Sequence, residues 1–194
     1  MGRFIVVTGL PASGKTTVAR EVAQSHGLPM LDKDDFIEAL FEGVIVDSAQ
    51  RRRELSRIAD DDFRRRAEQS RAAVLTSWWK HPRSSVDSGT PTDWLDSLSG
   101  PRVEVHCACS PAIATGRFVG RTRHRGHLDG RWSHADLLED LTKQAKLGAL
   151  GIGKVVEVNT NADFELDKVM RDIERAFEAV AIEIDRPRHF RELP

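Results

Sequence analysis

Several things are scarce in this chain of 194 residues, and each scarcity removes a class of explanation. There are two cysteines, Cys107 and Cys109, in the run Val-Glu-Val-His-Cys-Ala-Cys. Strand neighbours at i and i+2 share a face but are badly placed to bridge one another, and two thiols are too few for a zinc site. They read as small core residues of a protein kept in the reducing cytoplasm. No stretch approaches the ~20 apolar residues of a membrane span. The first residues run straight into a strand pattern, which leaves no room for a signal peptide. Neither sign of charge prevails: 29 Lys and Arg face 30 Asp and Glu, for a net charge of −1. That balance does not call for a nucleic-acid or membrane partner. Repeats and low-complexity linkers are absent. The expectation is one α/β domain over residues 1–185, followed by a loosely held tail at 186–194.

What is present is organised around Arg3–Ala19. Phe4-Ile5-Val6-Val7 is the continuous apolar run of a buried parallel strand. It leads into Gly9-Leu10-Pro11-Ala12-Ser13-Gly14-Lys15-Thr16, which is G-x-x-x-x-G-K-[ST] between a strand and a helix. Glycines let backbone N–H groups converge on phosphate oxygens, and the helix N-terminus adds unpaired donors and partial positive charge. ATP with Mg²⁺ is the ligand this pattern implies. Gly9, Ala12, Ser13, Gly14, Lys15, Thr16 and Thr17 line the loop, with Lys15 directed at the β- and γ-phosphates and the Thr16 hydroxyl at the metal. The string recurs at Gly148–Lys154, but Val155 replaces the hydroxyl residue and the apolar run follows the loop instead of preceding it. This second copy reads as a helix stop leading into a strand.

A short second strand at 28–31 precedes Asp32-Lys33-Asp34-Asp35-Phe36. Acids beyond the carboxyl end of a parallel strand lie where open sheets place their ligand crevice. Asp34 or Asp32 is suited to accept a proton from an attacking hydroxyl or to orient Mg²⁺, while Asp35 is suited to cap the next helix. A long polar helix from Asp47 to about Arg71 carries charge runs around a narrow apolar stripe, and its Arg51-Arg52-Arg53 run supplies Arg53 as a basic rim for an anionic acceptor. Ala72–Trp79 is the expected third strand. It lacks the acid that usually completes a magnesium shell, which throws weight onto Asp32. Trp78 is a stacking candidate for an acceptor ring. Residues 81–100 read as a functional loop with one helical turn near 94–98.

The fourth strand, Arg102–Cys109, leads to a helix opened by Pro111. Arg117 and Arg121 fall on one face if that helix continues, and Arg123, Arg125 and Arg131 follow. Guanidinium groups bind phosphate oxygens bidentately, so 117–132 suits a lid that closes over ATP. His124 and His127 read as solvated lid residues. A fifth strand at Lys154–Asn159 ends in Asn159-Thr160-Asn161, where Thr160 is a candidate edge of the adenine pocket. A last amphipathic helix follows Asp163.

Together, GLPASGKTT at 9–17, LDKDDF at 31–36 and the arginines of 117–125 resemble the P-loop small-molecule and polynucleotide kinases. That group includes chloramphenicol-phosphotransferase-like, gluconate-kinase-like, zeta-toxin-like and phage polynucleotide-kinase-like proteins. The resemblance spans about residues 3–180 by element order, with three specific segments. It implies a P-loop NTPase fold: a five-stranded parallel sheet in the order 2-3-1-4-5, helices on both faces and an Arg-rich lid. It also implies that Asp34 is the base, with Asp32 the weaker candidate, and that Arg117, Arg121 and Arg125 clamp phosphates. The expected activity is transfer of the γ-phosphoryl group of ATP to a hydroxyl of a small molecule by a monomer or homodimer. The acceptor would bind in the region 36–100, near Asp32, Asp34, Arg53 and Trp78. A 5′-hydroxyl polynucleotide kinase and a nucleotide-dependent switch or ATPase are the alternative readings.

Overall fold

Residues 2–185 are described by the computed structural model, so the expected tail at 186–194 lies outside the described residues. Five parallel strands form one sheet: β1 (Phe4–Gly9), β2 (Met30–Asp32), β3 (Ala73–Thr76), β4 (Arg102–Ala108) and β5 (Lys154–Asn159). Their spatial order is β2-β3-β1-β4-β5, as the resemblance implied. The helices are α1 (Lys15–His26), α2 (Lys33–Phe41), α3 (Ala49–Glu68), α4 (Pro111–Gly120), α5 (His134–Ala145) and α6 (Leu166–Asp185).

The period-two alternation of β1 sorts its side chains onto two cores. Ile5 and Val7 join Val105, Val156 and Val158 beneath α1 and α6. Phe4 and Val6 join Leu75 beneath Phe63 and Ala67 of α3, with Trp79, Trp94 and Leu95 from the long loop. Burial on both faces is why Phe4–Val7 reads as an unbroken apolar run. Two smaller clusters stand above the sheet: α4 and α5 pack around Leu10, and α2 packs on α3 through Ile37, Phe41, Leu55 and Ala59.

Some elements are shorter than the patterns suggest. The apolar run 72–79 yields a strand only to Thr76. Beyond it, Ser77 Oγ meets Thr90 Oγ1 at 2.6 Å, and the amides of Thr90 and Lys80 bond across to the carbonyls of Trp78 and Thr90. The chain therefore folds back on itself instead of extending the sheet. Trp79 enters the core, with its indole N–H on the Val7 carbonyl at 2.9 Å, and packs 5.7 Å from the Phe63 ring. The helical turn of the long loop spans Asp93–Ser97. Helix α4 ends at Gly120, and Arg121 is already extended, so Arg117 and Arg121 do not share a helical face.

Candidate active site

The loop between β1 and α1 combines three conformations that L-residues avoid. Gly9 has φ +133°, Gly14 has φ +93°, and Ala12 occupies the left-handed region at φ 58°. A Cβ on Gly9 would lie 2.6 Å from the Cys107 carbonyl oxygen, so a larger residue would push the loop off β4. Gly14 is the N-cap of α1 and supplies no side-chain cap, which leaves the first-turn N–H groups open to a ligand. The Ser13 hydroxyl is buried without a hydrogen-bond partner among the described residues. An orphaned buried hydroxyl beside uncapped amides marks a place built for an anion's oxygens. Lys15 is buried in the same loop, and its Nζ donates to the Leu10 carbonyl at 2.6 Å. Burial lowers its pKa to about 8.

Thr16 and Asp32 come together at the mouth of this loop, with the Thr16 hydroxyl donating to Asp32 Oδ2 at 3.0 Å. Asp32, and not Asp35, caps α2 by accepting from the Asp34 amide. Burial, reinforced by the neighbouring Asp34 charge, pushes the Asp32 carboxyl up to about 6. Two hard oxygen donors at the edge of a phosphate loop fit Mg²⁺, which takes one or two protein ligands and fills its octahedron with phosphates and water. The acid absent from the end of β3 is thus matched by one at the end of β2. Asp34 differs from Asp32. Burial alone would raise its pKa, but Arg123, His127, Lys33 and Lys15 outweigh burial and hold it below the ordinary carboxylate range. Its carboxylate is bonded directly to the Arg123 guanidinium.

The arginine segment is arranged differently from the expected pattern. Arg117 donates to the carbonyls of Thr160, at 2.7 Å, and Asn161, and so ties α4 to the turn after β5. Thr160 is buried beside Gly14, and its amide and hydroxyl both donate to the Ala108 carbonyl. Arg121 stacks on the Phe118 ring at 4.2 Å and reaches Asp129 at 3.3 Å. Arg125 is exposed. Arg123 pairs with Asp34 and Asp129, and Arg52 of α3 lies close enough to feel both charges. Arg52 is half-buried near Arg123, Asp129 and Asp34, and its Nε has no partner among the described residues. Arg53, one step round the helix, is exposed and points away. A composition of consecutive arginines did not say which one the helix turns inward, and with the backbone extended after Gly120 it is Arg123, not Arg121, that reaches Asp34.

The segment that follows is docked on α2 and not solvated. His127 is buried and pairs with Glu38 at 2.7 Å, His124 stacks on Phe41 with ring centroids 5.2 Å apart, and Gly126 lies against the same ring. Two further groups support this face. Lys33 reaches Ser56 at 2.6 Å and Asp60 at 3.5 Å, and Asp60 accepts from Thr90, so the long loop is anchored to the helix that carries Arg52. Trp78 stands apart from the acids: its indole N–H donates to Gln144 of α5 at 3.2 Å.

The second G-x-x-x-x-G-K loop has a different ligand. The amides of Leu150, Gly151 and Ile152 donate at 2.7–3.0 Å to the carboxylate of Glu104, which is fully buried on β4. No metal ligand set of three or more His, Cys, Asp or Glu occurs among the described residues, and no helix there is long and apolar enough to cross a membrane.

This sheet order with a phosphate loop after β1 defines the P-loop kinase fold. A family model described as an AAA domain matches residues 4–135, and the chain belongs to that family. Among solved structures, a candidate kinase from Chloroflexus aurantiacus is 23% identical with a TM-score of 0.75, covering 90% of this chain and 98% of its own. A shikimate kinase from Bacteroides thetaiotaomicron is 19% identical with a TM-score of 0.60 over 90% and 98% of the two chains. A gluconokinase from Sinorhizobium meliloti is 20% identical with a TM-score of 0.52 over 94% and 95%. At these identities the likeness is one of fold. No curated protein matches the sequence.

Proposed function

We propose that the protein is an ATP-dependent phosphotransferase that acts on a hydroxyl of a small molecule. The observation that carries this reading is the convergence of Lys15, the Thr16–Asp32 pair and the Asp34–Arg123 pair at the open end of one phosphate loop. A nucleotide switch needs the loop and the metal site. It does not need a second carboxylate, held ionised by cations, beside a basic α3.

In this reading the amides of the loop and the Ser13 hydroxyl hold the phosphates of ATP. Lys15 leaves the Leu10 carbonyl and turns onto them. Thr16 and Asp32 hold Mg²⁺, which neutralises charge on the β- and γ-phosphates when bound. Asp34 accepts a hydrogen bond from the acceptor hydroxyl and aligns its oxygen with the γ-phosphorus. The new O–P bond forms as the bond from phosphorus to the bridging oxygen of ADP breaks, and the hydroxyl proton passes to Asp34. A carboxylate with a lowered pKa is a weak base, but the loose transition state of phosphoryl transfer asks mainly for positioning. Arg123 and Arg121 stand where charge on the transferred group needs offsetting. Residues 117–132 act as the lid, and the contacts of His124 and His127 with α2 represent its closed position.

The unpartnered Arg52 Nε narrows the acceptor: the molecule carries an anionic group near its reactive hydroxyl. The test is transfer of γ-labelled phosphate from Mg²⁺·ATP to hydroxy acids and to the matching hydroxy amides, with 5′-hydroxyl oligonucleotides as a third arm. Label in the acids and not in the amides, with KM raised by Arg52→Gln, supports the reading. Label in oligonucleotides alone would transfer the assignment to polynucleotide ends, and label only in free phosphate would remove the acceptor.

A further inference from the structure

A cavity of about 660 Å³ lies between β4, β5, the C-terminal half of α5 and the loop 78–88. It arises because α5 packs on α4 and Leu10 and leaves the outer face of β5 uncovered: Val155, Glu157 and Asn159 are exposed there. The cavity touches Gly9 and Leu10 from the side, but Lys15, Thr16, Asp32, Asp34, Arg52 and Arg123 do not line it. Its volume suits a small organic ligand, for which pockets run to about 300–1,000 Å³.

The hydrogen bonds of the cavity floor determine what it presents. Glu104 accepts four donors, two on each carboxylate oxygen: Thr8 Oγ1 at 2.6 Å and the Leu150 amide on one, the Gly151 and Ile152 amides on the other. The single hydroxyl proton of Thr8 is therefore committed to Glu104. Thr8 Oγ1 lies 3.0 Å from His106 Nδ1, and in that contact it can only accept. The proton of a neutral His106 ring thus sits on Nδ1, and Nε2 presents a lone pair to the cavity. Burial keeps the ring on the neutral side by lowering its pKa. Glu157 is the register partner of His106 across β4 and β5 and lines the same cavity, so a carboxylate shares that face with the ring. Trp78, whose N–H is held by Gln144, supplies an indole wall.

We propose that this cavity binds a flat nitrogen heterocycle bearing N–H donors, at a site that borders the phosphate loop at Gly9 and Leu10 without reaching Lys15 or the Asp32–Asp34 pair, and that is independent of the reaction assigned above. Two adjacent acceptors beside an aromatic wall select such a ring. A ring without donors leaves the half-buried His106 acceptor covered and unpaired. The indole face provides stacking for any planar ring, so the donors decide between ligands.

The test uses 2-aminobenzimidazole as the donor-bearing probe and quinoline as a flat bicyclic ring without N–H. In the free protein, ¹⁵N chemical shifts of His106 should report a protonated Nδ1 and an unprotonated Nε2. Titration with 2-aminobenzimidazole should saturate and move the Nε2 signal, quinoline should bind at least about tenfold more weakly, and Glu157→Gln should weaken the donor probe about tenfold. Saturating Mg²⁺·ATP should leave the probe bound. Equal binding of quinoline, a protonated Nε2 in the free protein, displacement by ATP in proportion to its occupancy, or no saturable binding up to 10 mM probe (roughly the weak limit for a specific small-ligand pocket) would each overturn the proposal. Because Glu157 is exposed, its replacement leaves the core untouched, and the first two measurements need no variant at all.

Discussion

The chain contains G-x-x-x-x-G-K twice, and the two loops use their amides in opposite ways. At Gly148–Lys154 the N–H groups of residues 150–152 close on Glu104, a side chain of the neighbouring strand, and the bonding capacity of that carboxylate is filled. At Gly9–Thr16, among the described residues, the amides at the start of α1 have no side-chain cap and the Ser13 hydroxyl has no partner. Both loops are anion receptors in the physical sense. One carries its anion as a fixed residue and so contributes stability, whereas the other leaves the position open and so contributes binding. A glycine string creates the receptor, and its neighbours decide whether the anion is internal or arrives from solution.

The largest expected effect separates the two lysines. Lys15→Ala should lower the rate of γ-phosphoryl transfer by roughly a hundred- to a thousandfold, while Lys154→Ala should leave it within a factor of about two, because Lys154 opens β5 level with Ile5, at the end of the sheet away from the phosphate loop. Equal losses in labelled-phosphate assays would erase the distinction. Next comes the filled receptor. Glu104→Leu should cost about 3 kcal/mol, read from the urea midpoint, since it strands the buried Thr8 hydroxyl and three part-buried amides. Ser13→Ala should leave the urea midpoint unchanged and weaken Mg²⁺·ATP binding about fivefold, the worth of one lost hydrogen bond.

Acidity sharpens the comparison further. In the proposed reaction Asp32 must lose its proton to hold Mg²⁺, and its carboxyl sits at about 6, so kcat/KM should fall as pH drops through that value. Lys15 must keep its proton to hold phosphate, and it titrates at about 8, so kcat/KM should fall again as pH rises through that value. Asp32→Asn should abolish the acid limb along with most of the magnesium dependence. An acid limb that survives Asp32→Asn would place it on another group. The smallest effect belongs to Gly148→Ala. Its φ of +70° with nothing within 4 Å predicts a loss of only about 1 kcal/mol, from left-handed backbone strain alone. Gly9→Ala should cost more and should also impair nucleotide binding, because a Cβ there meets the Cys107 carbonyl.

Much of this was legible in the sequence, for reasons of range. The phosphate loop and the Asp32–Asp34 cluster are local patterns in which spacing dictates geometry, whereas the strand order was implied by the family resemblance. The identity of the inward arginine was not local. Arg52 and Arg53 are equivalent in composition, and only the packing of Leu55 and Ala59 on α2 fixes which one turns toward Asp34. Likewise Arg117, expected to clamp phosphate, is held by carbonyls 43 and 44 residues away. His127 was expected in solvent because Glu38, its partner, lies 89 residues earlier. The Glu104 carboxylate gave no signal in its own strand, where a buried acid at an apolar position looks like an error until the loop that satisfies it is seen.

The most direct test of the account replaces Asp34 with Asn and measures two quantities on the same preparation. One is the affinity for Mg²⁺·ATP by calorimetry, and the other is single-turnover transfer of γ-labelled phosphate to a hydroxylated acceptor. The open loop, Lys15 and the Thr16–Asp32 pair should bind nucleotide with affinity within about threefold of the parent protein, while transfer falls by roughly a hundredfold or more. Transfer at the parental rate would contradict the role given to Asp34, and loss of ATP binding in a folded variant would place Asp34 in the nucleotide receptor instead of opposite it.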